Sequence, residues 1–289
     1  MPVYVNPQSS YFDKSFNTTP PLSCILIIQI NLHDVAVAIY DIEKNKFIGL
    51  ESYRLAGLKK DDQIAGELDQ LIAKRSWLAK KFKQINVIYS NPVTTLIPQA
   101  LFDKQEKDRY LNFNHPVQEE SVTGINILKN AGAVSIFSIP VSLDKKIKSI
   151  WPGSALFHSS SVLIESLLIN YKNKTTGKTL FVQVNTDYFD VVYIKNSKLY
   201  LHNTFKFKSK EDFIYFLLAT IEQLKLNPEE VNIVLSGQID KSSIYYEMVY
   251  QYIRNNEFIE RNETFNYSYL FDKLAHHKYY VLFNMLQCE

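Results

Sequence analysis
At 289 residues the chain is long enough for one large or two medium domains with buried cores. A hydrophobic content of 46% and a charged content of 21% are ordinary for a soluble globular protein, and the net charge of +2, with basic residues set beside acidic ones, argues against a nucleic-acid protein. Glycine is scarce at 8, against 19 Tyr and 18 Phe, which counts against phosphate-cradling loops, because these depend on glycine.

Residues 1–21 hold Pro2, Pro7, Pro20 and Pro21 among Ser and Asn and read as an arm, without the basic-then-apolar layout of a signal peptide. A β-branched run over 24–31 predicts a strand buried on both faces. Strands over 35–42 and 47–54 follow, joined by a turn at Glu43-Lys44-Asn45-Lys46. Asp61 is a fair N-cap, and Ile64, Leu68, Leu71, Ile72, Leu78 and Phe82 recur at helical spacing before a strand over 85–90. Beyond it a helix is predicted over 98–107, an irregular polar stretch over 110–120, and strands over 122–129 and 133–139, the second a candidate last strand of the first sheet. Helices are predicted over 141–150 and 159–171, and Asn173-Lys174-Thr175-Thr176-Gly177 marks the domain boundary. Strands over 180–185, 189–195 and 198–207 come next. Ser209 with Asp212 has the form of a capping box opening a helix, and a strand over 231–236 follows it. A helix over 244–253, a short strand at 258–259 and a helix over 275–286 close the chain. No apolar run approaches about 18 residues, so no membrane span is expected. Cys24 and Cys288 give neither metal spacing nor a disulfide framework and fit a reducing cytoplasm.

The two halves repeat one another. Ile27-Ile28-Gln29-Ile30-Asn31 returns as Phe181-Val182-Gln183-Val184-Asn185, and Asn86-Val87-Ile88-Tyr89-Ser90-Asn91 returns as Asn232-Ile233-Val234-Leu235-Ser236-Gly237. Both matches keep one register, with a short deletion between them, and the element order β-β-β-α-β is the same in each half. An internal duplication therefore predicts an arm over 1–21 and two similar α/β domains, 22–173 and 174–289, facing a cleft.

Gln29 and Gln183 are polar residues inside apolar strands and need hydrogen-bond partners if buried. Asn31 and Asn185 suit hairpin turns, with a role in the cleft as the alternative. His33 with Asp34, and Asp187 with Asp190, offer acid–base groups, but the adjacent His33 and Asp34 point to opposite faces of a strand, and solvated hairpin tips are the expectation. His158 precedes a helix and suits a helix-start or packing role. His276-His277 has no acidic or Cys companion at metal spacing, so no metal site is expected. The Lys-rich stretch 59–83 also carries Asp61, Asp62, Glu67 and Asp69, as a solvated helix face does. Tyr245, Tyr246, Tyr250, Tyr252, Tyr267, Tyr269, Tyr279 and Tyr280 crowd the C-terminal third, as tyrosines do at protein interfaces. No Walker A, Gly-x-Ser-x-Gly, His-Glu-x-x-His or Cys-x-x-Cys motif occurs.

The doubled layout resembles the actin-like (ribonuclease H-like) ATPase fold of actin, hexokinases, the 70-kDa heat-shock proteins and, distantly, PilM. Through the two Gln-x-Asn strands, Thr95-Leu96-Ile97-Pro98-Gln99-Ala100-Leu101-Phe102, Phe157-His158-Ser159 and Ile233-Val234-Leu235-Ser236-Gly237, the chain more closely resembles the DUF3822 proteins, an uncharacterised family of Bacteroidetes. The resemblance implies two domains, each a mixed sheet flanked by helices, and a nucleotide cleft. Active members of the fold carry Asp and Gly in the first hairpin of each domain, to hold Mg²⁺ and admit phosphates. Here those hairpins read Asn31-Leu32-His33-Asp34 and Asn185-Thr186-Asp187-Tyr188, without glycine, and Ser236-Gly237-Gln238 lacks the usual second glycine of the adenosine segment. Asn31, His33, Asn185, Asp187, Ser236 and Gly237 thus mark a vestigial nucleotide site. The expectation is a cytoplasmic, non-catalytic scaffold or adaptor with a protein partner and no cofactor. The alternatives are an active ATP-binding kinase or switch, with Mg²⁺, and an accessory factor in RNA or ribosome metabolism.

Overall fold
A computed structural model describes residues 7–117, 119–171, 173–174 and 178–288. The chain begins with β1 (Pro7–Phe12), β2 (Cys24–Ile30), β3 (Asp34–Asp41) and β4 (Lys46–Arg54), then α1 (Ile64–Lys74), β5 (Gln84–Tyr89) and β6 (Thr94–Pro98). There follow α2 (Lys107–Asn114), β7 (Ser121–Leu128), β8 (Ala133–Pro140), α3 (Val141–Ile150), β9 (Ala155–His158) and α4 (Ser159–Tyr171). The remainder comprises β10 (Thr179–Val184), β11 (Tyr188–Lys195), β12 (Lys198–Lys206), α5 (Lys210–Gln223) and β13 (Asn232–Gly237). It ends with α6 (Ile244–Tyr252), β14 (Asn255–Phe258), β15 (Asn266–Tyr267) and α7 (Tyr280–Asn284). Two compact units result. One holds the described residues up to Ile127 with Ala133–Ser161 and Glu263–Lys273; the other holds Leu128–Gly132, Val162–Asn262 and the residues from Leu274 on.

In the first unit the strands lie in the order β1-β4-β3-β2-β5-β9. β2, β3 and β4 form an antiparallel meander, and β5 and β9 add parallel to β2. Asn45 turns the β3–β4 hairpin at φ 49°, a left-handed conformation that Asn tolerates. Ile64, Leu68 and Leu71 of α1, with Leu143 and Ile147 of α3, bury one sheet face together with Leu26, Ile28, Val37 and Ile39. A smaller sheet, β6-β8-β7, carries α2 over Val134 and Ile136.

The second unit repeats the arrangement as β12-β11-β10-β13-β14, with an antiparallel meander and two parallel strands. Its α5 opens with the expected capping box: Ser209 Oγ accepts from the Asp212 N–H at 3.1 Å, and Asp212 Oδ2 accepts from the Ser209 N–H at 3.2 Å. Phe213, Leu217 and Ile221 of α5 and Val249 of α6 then cover Leu180, Val182, Val191 and Ile233.

Several expectations need correction. Residues 7–12 are no arm: β1 pairs with β4, and Phe12 packs on Phe16 and Trp77 at ring-centroid distances of 4.7 and 5.6 Å. α1 stops at Lys74, short of Leu78 and Phe82, because Arg75 leaves helical geometry and its guanidinium bonds the buried Glu51 carboxylate at 3.1 Å. Leu78 stays buried on a separate 3-10 turn, so apolar periodicity outlasts the helix. Residues 98–107 are not one helix. Pro98 ends a strand, Asp103 Oδ1 caps a 3-10 turn at the Gln105 N–H (2.9 Å), and the helix begins only at Lys107 and runs to Asn114, into the stretch expected to be irregular. β8 belongs to the small sheet, and the first sheet ends instead on β9. Of the closing helix over 275–286 only Tyr280–Asn284 is α-helical, with a 3-10 turn at Met285–Gln287.

The units also divide the chain elsewhere than at 173–177, of which Thr175, Thr176 and Gly177 lie outside the described residues. From Val162 onward α4 belongs to the second unit, where Glu165, 6% exposed, accepts from the Asn130 and Ala131 N–H groups at 3.1 and 3.2 Å and from Asn130 Nδ2 at 2.8 Å. Glu263–Lys273 returns to the first unit. There β15 continues the pairing of β1 along β4, and Phe265 packs edge-on against Tyr40 and Phe47.

Asp13 ties these distant pieces together. Its carboxylate accepts from Lys46 Nζ at 2.9 Å, the Ser15 N–H at 3.0 Å and Ser268 Oγ at 3.0 Å, and the Lys46 ammonium beside it, helped by Ser15, holds it well below the usual carboxylate range. A depressed carboxylate pKa stabilises the fold above the unfolded value of about 3.9 and stops doing so as pH falls through the native value. Asp13→Ala is expected to lower stability by about 2 kcal/mol at neutral pH and to speed amide exchange in Asn266–Tyr267. Urea unfolding with hydrogen exchange checks this; unchanged values would show that Asp13 does not hold these pieces.

Candidate functional site
The β2–β3 hairpin is built around one amide. Asn31 Oδ1 accepts from the backbone N–H groups of His33 and Asp34 at 2.7 and 2.8 Å, and Asn31 Nδ2 donates to Asp34 Oδ1 at 2.9 Å. The first two bonds form an Asx turn, and the third needs a donor that a carboxylate lacks. The backbone closes with Asn31 N–H on the Asp34 carbonyl at 3.0 Å and Leu55 N–H on the His33 carbonyl at 2.7 Å. Asp34 is therefore no freely solvated tip, since its carboxylate takes the Asn31 amide.

The β10–β11 hairpin has the same backbone bonds: Asn185 N–H to the Tyr188 carbonyl at 2.9 Å and Phe207 N–H to the Asp187 carbonyl at 3.0 Å. Its side chains work differently. Asp187 is exposed, whereas Asp190 is 3% exposed. Asp190 accepts from Thr204 Oγ1 at 2.6 Å and from Asn185 Nδ2 at a long 3.4 Å, and faces His202 Nε2 at 3.2 Å. Sequence reasoning missed His202 and Thr204. They reach Asp190 only through the β11–β12 register, which sets Asp190 opposite Thr204.

Both glutamines find a serine partner on the neighbouring strand or just beyond its end. Gln29 Nε2 donates to Ser90 Oγ at 3.3 Å, and Ser236 Oγ donates to Gln183 Oε1 at 2.7 Å. The ladders, however, are slipped by two residues relative to the sequence match. The Ser90 N–H bonds the Ile30 carbonyl at 2.9 Å, and in the second unit the Gln238 N–H bonds the corresponding Val184 carbonyl at 2.7 Å. Gln238, not Ser236, thus occupies the place of Ser90. A slip of two preserves every side chain's face, so alternation cannot register it.

Gly237 is the residue this strand end requires. Its φ is +88°, and an added Cβ would lie 2.2 Å from the Val184 carbonyl oxygen. Its N–H donates to the His277 carbonyl at 3.0 Å, and His277 Nε2 donates in return to the Ile239 carbonyl at 2.6 Å. Phe258 stacks on the His277 ring at 4.1 Å, and burial pushes the imidazole pKa down, keeping it neutral. His277 is thus a clamp on the loop after β13, while exposed His276 bonds Glu260 at 2.6 Å. His158, 1% exposed, donates from Nε2 to the Asn91 carbonyl at 3.1 Å and bonds Ser160 Oγ through Nδ1 at 2.7 Å, a helix-start role. Among the described residues no group of three His, Cys, Asp or Glu side chains is placed to hold a metal ion, and no helix is long and apolar enough to cross a membrane.

The C-terminal tyrosines are not all exposed. Tyr279 and Tyr280 are buried, Tyr250 and Tyr252 are exposed on α6 of the second unit, and exposed Tyr269 belongs to the first.

Gly237→Ala must strain the backbone and move the Val184 carbonyl. The expected cost is about 1–3 kcal/mol in denaturant unfolding, and a neutral substitution would contradict the close approach.

A search of curated proteins finds no match. Among solved structures the chain is similar to a Bacteroides thetaiotaomicron VPI-5482 protein with an actin-like ATPase fold and unknown function. The TM-score is 0.77 at 21% identity, covering 93% of this chain and 97% of that one. It is also similar to a chain of the PilM–PilN type IV pilus biogenesis complex, with a TM-score of 0.57 at 11% identity, covering 93% of this chain and 100% of that one. These likenesses show the actin-like fold. The family described as "Protein of unknown function (DUF3822)" matches residues 13–256, and the chain belongs to that family.

Proposed function
We propose that the protein is a non-catalytic cytoplasmic scaffold or adaptor on an actin-like body, which holds a protein partner and does not turn over ATP. The observation that carries this reading is the use of Asn31: both ends of its amide are engaged within its own hairpin. A hard, strongly hydrated cation such as Mg²⁺ favours carboxylate ligands, and a neutral amide already bonded to its neighbours is a poor substitute. Asn185 is likewise neutral and turned toward Asp190, and the Gly237 N–H, a potential donor to a ligand, donates to His277. The PilM-containing structure is a complex with PilN, so a relative in fold, though distant in sequence, is found with a protein partner.

Thermal unfolding with and without Mg²⁺-ATP at millimolar concentration tests the silent site. A ligand at 100 times its Kd stabilises the native state by about 2.7 kcal/mol, a readily measured shift. No shift is expected. A saturable, Mg²⁺-dependent shift would overturn the reading in favour of an ATP-driven switch.

A further inference from the structure
The second unit carries a pocket of about 220 Å³ where β10, β13 and β14 meet the end of α4. Phe181, Val234 and Glu257 are successive register partners across the three strands and so share one sheet face. Phe181, Val234 and Ile259 make an apolar floor, Tyr171 stands at one wall, and Glu257 and Glu260 sit exposed at the rim. We propose that this pocket takes an alkylguanidinium or alkylammonium group, from an arginine or lysine side chain of a partner polypeptide or from a free polyamine.

The chemistry of the lining selects that class. An apolar floor below two carboxylates suits a ligand with a methylene stem and a cationic head, the division that long basic side chains make on protein surfaces. The Glu257 carboxylate is oriented by Asn232 Nδ2, which donates to Oε1 at 2.7 Å. Glu260 bonds His276, and among the described residues no Lys or Arg pairs with either carboxylate. Lys174 itself lines the pocket, and its ammonium lies over the Tyr171 ring, 5.6 Å from the centroid, rather than on a carboxylate. Burial, together with the negative charge of Glu260 and Glu257, raises the Tyr171 hydroxyl above its usual pKa. A drug-sized ligand usually occupies about 300–1,000 Å³. The smaller space here fits one side chain or an aliphatic amine. None of these residues lies in either hairpin, so the inference stands or falls separately from the ATP test.

The test is NMR titration of the full chain with N-acetyl-arginine methylamide, its uncharged citrulline counterpart, and spermidine. Saturable shifts at Tyr171, Phe181 and Glu257 with a cationic probe, at least tenfold weaker with the citrulline compound and in Glu257→Gln/Glu260→Gln, are expected. Stronger binding of the arginine compound assigns the site to a polypeptide side chain, and stronger binding of spermidine assigns it to a polyamine. No saturable shift, equal binding of the uncharged compound, or unchanged affinity in the double variant would overturn the proposal.

Discussion
Where a central strand ends and the chain turns straight back, the backbone N–H groups of the turn need acceptors, and those removed from water must find them locally. In the first unit one side chain supplies them. Asn31 accepts from two successive N–H groups and then anchors itself on Asp34, so strand, turn and returning strand are fixed by a single amide. The antiparallel β2–β3 register starts from this turn, with Ile30 set opposite Val35. β2 in turn carries β5 on its other side. The second unit keeps the same backbone bonds but stabilises its returning strand through Asp190, whose carboxylate gathers Thr204, His202 and Asn185. Backbone geometry is the common element, and the side chains that serve it differ.

This division bears on function. A hairpin that must be satisfied internally and a hairpin that must ligate a metal make opposite demands on the same residue. Asn31 meets the first demand, and in the second hairpin Asp190 takes that part while Asn185 only leans on it. Gly237 looks, in sequence, like a relic of ligand binding, yet it has a sufficient structural cause in its positive φ and the adjacent Val184 carbonyl. The fold is shared with actin-like ATPases, while activity depends on particular side chains grafted onto it.

Much of the fold was legible in the sequence because the meanders are continuous apolar runs, and because Ser209 with Asp212 marks a helix start locally. The failures share a cause. Helix ends and unit membership are decided by contacts distant in sequence: Arg75 with Glu51, Glu165 with the loop at Asn130, and Ser268 with Asp13. No periodicity encodes these. β15 has only two residues, too few for any pattern, and the two-residue slip between the ladders leaves apolar alternation unchanged. At the candidate site the hairpin residues were identified from their turn chemistry. His202 was not, and His277 was noted without its clamping role, since a histidine's role depends on which carboxylate or carbonyl the fold brings to it.

The central claim is that Asn31 is a turn-forming amide paired with Asp34, and a double-mutant cycle measures that pairing directly. Asn31→Asp removes the Nδ2 donor and sets two carboxylates against each other, so its urea midpoint at pH 7 should fall by the equivalent of about 1–3 kcal/mol. Adding Asp34→Asn restores an amide facing a carboxylate with the roles exchanged, and should recover most of the loss. An Asn31→Asp variant as stable as the parent, or a swapped pair no more stable than the single variant, would contradict the account.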